Sequence, residues 1–334
     1  MAEKQSLIVI TGAAGFIGSA LAWRLNRSGR ENLLLVDELG HSEKWKNLVP
    51  LSYRDYMDKE DFLAAIRAGR FDSEKIEAVV HLGASSATTE MDMGYLMRNN
   101  FEYGKVLAEW CLGRPEPARF IYASSAATYG DGALGYGDDH ASLPLLRPLN
   151  PYGYSKQLFD LWNLKQGHLD RVVGLKYFNV FGPNEYHKQD MRSMVAKAFG
   201  QIENTGRVSL FKSHREDYRD GMQTRDFLYV KDALEMTLFF LDAPKMPGGI
   251  YNVGSGRARS WLDLASAVFR AMGREPQVDF VPMPEAIRDK YQYHTQAETD
   301  KIRAAGYARE PFALEEAVAD YVTYLRAGNK PLGW

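Results

Sequence analysis

Leu7-Ile8-Val9-Ile10 runs without a break into Thr11-Gly12-Ala13-Ala14-Gly15-Phe16-Ile17-Gly18. A helical apolar pattern through Ala20, Leu21, Trp23 and Leu25 follows and stops at Ser28-Gly29. No other stretch limits the fold as sharply. A branched apolar run suits a strand buried on both faces of a parallel sheet. Gly12 permits the tight turn out of that strand, Gly15 lets the backbone approach a pyrophosphate, and Gly18 lets helix and strand pack closely. The start of the helix then presents free N–H groups to phosphate. Placed between strand and helix, the loop reads as a dinucleotide site and not as an ordinary turn.

The next strand signal, residues 33–36, ends at Asp37. A carboxylate there, roughly 20 residues after the glycines, accepts hydrogen bonds from the adenosine ribose hydroxyls and favours NAD. Lys44 and Lys46 follow closely and suit a 2′-phosphate, so the residues leave both cofactors open. Further strand signals fall at residues 78–82, 120–123 and 172–177, with helical patterns at about 58–66, 95–112 and from 151 onward. This alternation predicts an α/β fold over residues 1–180, a Rossmann-type doubly wound parallel sheet that binds the dinucleotide. Residues 131–149, with Gly, Asp and Pro, read as a loop over the site. Beyond 180 the pattern loosens. Helices are expected over 191–202, 231–241, 260–272 and 314–325, and strands over 209–211, 225–229 and 249–253. Residues 181–334 should form a smaller mixed α/β substrate-binding lobe, with segments at about 225–260 returning to the first domain.

Composition sets outer limits. The chain has 334 residues, 45% hydrophobic and 25% charged, enough for a large core. A net charge of −2 points to neither nucleic acid nor membrane. Seven His and one Cys show no metal-ligand spacing, so no metal is expected, and Cys111 reads as a core residue. Residues 1–6 are too short for a signal peptide, and no apolar run reaches membrane-helix length, so a cytoplasmic protein is expected.

In an open parallel sheet all strand ends meet at one edge. Residues 83–86, Ser125 and Asn179 all sit at such ends, and Tyr152 opens the helix that follows Ser125. Tyr152 and Lys156 are four residues apart and share a helix face, while Tyr154 points elsewhere. A phenol working near pH 7 must be shifted by about 4 kcal/mol from its usual pKa of about 10. An adjacent ammonium and a bound cationic cofactor would both favour the phenolate. Ser125 would hold an alcohol oxygen, Tyr152 would take its proton as hydride leaves the carbon, and Lys156 would bind the nicotinamide ribose.

Gly12, Gly15, Gly18, Ser125, Tyr152 and Lys156 carry a family resemblance, together with residues 56–62, 123–130, 177–180, 295–297 and 303–307 and the pair His187-Lys188. Over nearly its whole length the chain resembles the extended short-chain dehydrogenase/reductase family that acts on nucleotide sugars, and within it the heptose 6-epimerases. The resemblance implies inversion of C6″, converting ADP-D-glycero-β-D-manno-heptose to its L-glycero epimer for the lipopolysaccharide inner core. It implies oxidation to a 6″-ketone and re-reduction with one tightly bound NADP, NAD also serving. It implies a second acid/base matching Lys188, since the turned ketone no longer faces Tyr152; His187 and Tyr186 are local rivals.

The resemblance also implies cofactor contacts at Phe16, Ile17, Asp37, Glu38, Lys44, Lys59, Leu82, Gly83, Ala84, Ser85, Ser86, Asn99, Val180 and Lys188. It implies substrate contacts at Ser125, Asn179, Asp190, Lys197, Phe211, Lys212, Ser213, His214, Arg225 and Tyr291, with Arg225 suited to a diphosphate. Glu38, Leu82, Asp190 and Lys197 stand where the family often has Asn, Glu, Ser and His, and the insertion between His214 and Arg225 is longer than usual. A homopentamer is implied as well. Two other readings compete. A UDP-hexose 4-epimerase would share Ser125, Tyr152 and Lys156 but would not need Lys188. A dinucleotide-sensing binding protein should have lost one of the first three.

Overall fold

The computed structural model describes residues 6–288 and 291–334; of the opening stretch 1–6, too short for a signal peptide by its sequence, residues 1–5 lie outside the described residues. Its strands, in chain order, are β1 (Leu7–Thr11), β2 (Leu33–Asp37), β3 (Asp55–Asp58), β4 (Ile76–His81), β5 (Arg119–Ser125) and β6 (Val172–Tyr177). They continue as β7 (Asn179–Phe181), β8 (Val208–Phe211), β9 (Thr224–Tyr229), β10 (Gly249–Val253), β11 (Ala258–Ser260) and β12 (Val278–Val281).

The large sheet has the order β10-β6-β5-β4-β1-β2-β3 and is parallel throughout. The doubly wound fold expected from the alternating pattern is therefore present. Successive side chains of a strand face opposite ways, and β1 shows the consequence. Ile8 and Ile10 enter one core, and Leu7 and Val9 enter the other. Strand order reverses at β1, which has β2 and β3 on one side and β4 to β6 on the other. A crevice opens at such a reversal, beyond the strand C-termini.

Some elements differ from the sequence expectation. The edge strand β3 was not expected, because its Asp55-Tyr56-Met57-Asp58 is half polar and lacks an apolar run. The helix expected over 95–112 is broken into Met93–Leu96 and Tyr103–Leu112 by a π-helical turn, Met97–Glu102, which carries Asn99 and Asn100. Such turns concentrate where a helix must re-aim side chains. The loop 131–149 does not cover the site. The Asn252 and Ile250 amides donate to Asp138 (2.8 Å) and His140 (3.1 Å), so the loop sheathes the edge strand β10. An open strand edge would otherwise expose unpaired backbone groups.

In the smaller lobe, the strands at 208–211 and 224–229 flank the polar insertion but do not pair with each other. β8 pairs with β12, in parallel, while β9 lies between β7 and β11. The helix expected from 191 begins later, at Met194, and runs to Thr205. Ahead of it, Tyr186–Met191 forms a 3-10 segment with Gln189 at φ 47°, ψ −121°. Among the described residues no helix is long and apolar enough to cross a membrane, and no group of three or more His, Cys, Asp or Glu could hold a metal.

Candidate active site

The glycine loop is a cradle. Gly12 has φ +69°, and a Cβ on it would come within 2.6 Å of the Gly83 backbone nitrogen. A Cβ on Gly18 would collide with the Gly12 carbonyl. Gly15 opens the helix Phe16–Arg27 with no side-chain cap, leaving the first N–H groups free. These features fit a dinucleotide pyrophosphate. The buried Asp37 accepts the Ala14 N–H on Oδ2 (2.8 Å) and Lys44 Nζ on Oδ1 (2.7 Å). Beyond it, Lys59 pairs with Glu38 (2.5 Å) and donates to Asn99 (3.0 Å).

Asn100, missed from sequence, fastens this half together. It receives the Ser85 N–H (2.8 Å), donates to the Ser85 carbonyl (3.0 Å) and reaches Ser155 Oγ on the next helix (3.0 Å). Thr11 Oγ1 joins His81 Nδ1 (2.6 Å) and accepts the Gly83 N–H (3.2 Å). Burial, and then the charge of Lys156, push His81 down to about 3.

The helix Pro151–Lys165 starts cleanly: Asn150 accepts the Gly153 N–H (2.8 Å) and proline takes the first turn. Tyr152 and Lys156 line one cavity of about 1040 Å³ with Ser125 and the glycine loop, while Tyr154 is exposed elsewhere. Lys156 Nζ donates to the Ala123 carbonyl (2.9 Å), and burial lowers this amine to about 8. Burial pushes the Tyr152 phenol up, and the hydrogen bond with Ser125 pulls it down. The expectation that Lys156 lowers the phenol is thus not met by the chain alone: burial dominates, and the opposing pull comes from Ser125 and not from Lys156. Ser125 also caps the turn after β5, accepting the Ala127 N–H (3.1 Å). Behind them Asp160 accepts from Ser124 (2.7 Å) and Tyr122 (3.0 Å) and faces the equally buried Lys176 at 3.6 Å.

Lys188 lines the same cavity from the 3-10 segment, its Nζ 5.5 Å from the Phe16 ring. Burial lowers this amine, and Glu185 opposes the shift. His187, the neighbouring candidate, is pushed down to about 4 by burial first and by Lys188 and Lys44 next.

Of the other residues expected here, Phe16, Ile17, Asp37, Lys44, Leu82 to Ser86, Asn179, Val180, Lys197, Phe211 and Tyr291 line the cavity. Glu38, Lys59, Asn99, Asp190, Lys212, Ser213, His214 and Arg225 do not. Asp190 is exposed beyond the positive-φ Gln189. Ser213 and His214 use their amides to hold the insertion, on Asp220 (2.7 Å) and Tyr293 (2.9 Å). Arg225 lies one layer back, its guanidinium 5.0 Å from the Tyr291 ring and 5.6 Å from the Trp261 ring, two rings that do line the cavity. Arg192, Ser193, Gln201, Ser209 and Trp261 line it too and were not expected. Their positions depend on how the small lobe packs, for which the sequence carries no local signal.

A parallel sheet with a phosphate cradle, and a Ser, Tyr and Lys at its edge, defines a class of nicotinamide-dependent enzymes. The chain belongs to the NAD dependent epimerase/dehydratase family, whose pattern it matches over residues 8–254. Within that class it is 51% identical over 325 residues to the ADP-L-glycero-D-manno-heptose-6-epimerase of Nitratidesulfovibrio vulgaris (strain DP4), covering 97% of this chain and 99% of the relative. The enzyme of that name from Fusobacterium nucleatum subsp. nucleatum is 46% identical, covering 95% and 97%. The crystal structure of the Helicobacter pylori ADP-L-glycero-D-manno-heptose-6-epimerase superposes with a TM-score of 0.79 at 28% identity, covering 98% of this chain and 99% of that one.

Proposed function

We propose that this chain epimerises ADP-D-glycero-β-D-manno-heptose at C6″ to the L-glycero epimer, a precursor of the lipopolysaccharide inner core. The observation that carries the reading is the presence of two candidate bases in one cavity on separate elements, Tyr152 on a helix and Lys188 on a 3-10 segment. The bound nicotinamide would accept hydride from C6″ and return it. Ser125 holds the C6″ oxygen and Tyr152 moves its proton on one face. Once the ketone has turned, Lys188 serves the other face. A UDP-hexose 4-epimerase would leave Lys188 without a task.

Lys156 holds the nicotinamide ribose, and the open amides of the glycine helix hold the pyrophosphate. NADP is the cofactor in this reading, with Lys44 as partner of the 2′-phosphate. Lys44 already sits 2.7 Å from Asp37, so the carboxylate's charge is offset at the ribose edge, which eases entry of a 2′-phosphate, while its acceptor oxygens still suit the ribose hydroxyls of NAD. Arg225, whose guanidinium packs behind the cavity-lining rings of Tyr291 and Trp261, is the group assigned to the diphosphate in this reading. The same reading carries a homo-oligomer, which light scattering would measure. Incubation with ADP-D-glycero-β-D-manno-heptose, followed by NMR of the product, tests the function; recovery of unchanged substrate would reject it.

A further inference from the structure

Glu185 lies three residues before Lys188 and is only 1% exposed. Its carboxylate is clasped by one residue from two directions. Oε2 accepts the Ser193 N–H at 2.6 Å and Oε1 accepts the Ser193 hydroxyl at 2.5 Å. Ser193 caps the helix Met194–Thr205, so the clasp fastens the Lys188 segment to a rigid element. The segment is closed from within by the Lys188 N–H on the Glu185 carbonyl (3.0 Å). Its start is fixed by Asn184, at φ 79°, which donates to Ser19 of the glycine helix (2.9 Å) and accepts the Leu332 N–H (2.8 Å).

Burial drives Glu185 up and Lys188 down, toward two neutral groups, and the charge on each opposes the change in the other. From the helix Leu314–Arg326, Tyr321 faces the same carboxylate and is itself near Arg192. From the glycine helix, Phe16 presents only a ring to the amine. His187 is held neutral beside it. Glu185 is the charge that opposes the effect of burial on Lys188.

We propose that Glu185 is the positioning residue of Lys188, holding its segment in place and supplying the counter-charge that lets the amine give a proton as well as take one. This rests on the two-base epimerisation above. There Lys188 must be neutral to oxidise one epimer and charged to protonate the turned ketone. A buried amine without a counter-charge would stay neutral and could serve only one direction.

The test measures both directions of epimerisation across about pH 6 to 10. Glu185→Gln should move the limb that Lys188→Met abolishes to lower pH by about one unit. It should lower kcat about tenfold with KM little changed, and leave the Tyr152 limb in place. Glu185→Asp, which keeps the charge, should restore the limb. If Glu185→Gln does not fold, Ser193→Ala carries the test: kcat should fall about threefold with KM held. An unmoved limb, or full kcat in Ser193→Ala, overturns the assignment. Failure of the wild-type chain to interconvert the epimers would instead reject the proposed function. Glu185 would then be judged by NMR titration of the ¹³C-methylated Lys188 amine, whose pKa should fall by about one unit in Glu185→Gln. No movement there also overturns it.

Discussion

Tyr152 stands on a helix of 15 residues with a proline start and an asparagine cap, next to a strand buried in the middle of a seven-stranded sheet. Lys188 stands on a six-residue 3-10 segment in which the residue after it, Gln189, adopts φ 47°, ψ −121°. That conformation belongs to glycine in tight turns. One side of the cavity is held by regular backbone hydrogen bonds, the other by a few buried side chains, Asn184 and Glu185 among them. Geometry that regular structure holds tolerates local change, and geometry held by side chains is lost when one of them goes.

The sharpest way to break this comparison is to remove each base in turn. Tyr152→Phe should lower epimerisation by about 10³-fold while cofactor stays bound, because general acid–base catalysis is worth about 10²–10⁴. Retention of near-normal rates would remove Tyr152 as the base. Lys188→Met should cost as much, and a mild effect would demote it to substrate binding.

Next in size is the acid stability of the regular side. His81 titrates near 3 in the fold against an ordinary 6.5. Below pH 6.5 the unfolded chain takes up a proton that the native chain refuses, so stability falls as pH falls. The full loss is about 5 kcal/mol by pH 3, from about 1.4 kcal/mol per unit. Urea titrations over that range should show it, and His81→Gln should flatten the curve. If both proteins lose stability in parallel, His81 is not the cause.

The smallest effect concerns the strained residue. Gln189→Gly relieves backbone strain of about 1–3 kcal/mol and loosens the unfolded chain by somewhat less. A net gain of about 1 kcal/mol in unfolding free energy is expected, read from a raised urea midpoint at unchanged m. A loss would mean the Gln189 side chain holds the segment.

The same contrast explains what could be read from the sequence. The glycine loop, Asp37, Ser125 and the Tyr152–Lys156 pair lie on elements with strong local patterns, and the parallel sheet brings their ends together wherever the loops go. The strand β3 escaped because an exposed edge needs no apolar run. The π turn escaped because Asn99 and Asn100 sit in an otherwise ordinary helical pattern. The small lobe was harder, since β8 and β9 take partners from residues 278–281, 179–181 and 258–260. Nothing within those short segments encodes such distant pairing. Lys188 was legible only through resemblance, and Glu185, Asn184 and Ser193 were not singled out at all.

The path of the chain between the two lobes has a mechanical consequence. β9 and β11 belong to the small sheet, yet β10, between them in sequence, is an edge of the large one. The polypeptide therefore stitches the lobes together repeatedly, and no single linker can act as a hinge. An enzyme that releases a spent coenzyme every cycle gains from wide opening. One that recovers its coenzyme within each turnover does not, and a stitched body of this kind suits a coenzyme that stays in place while sugars come and go.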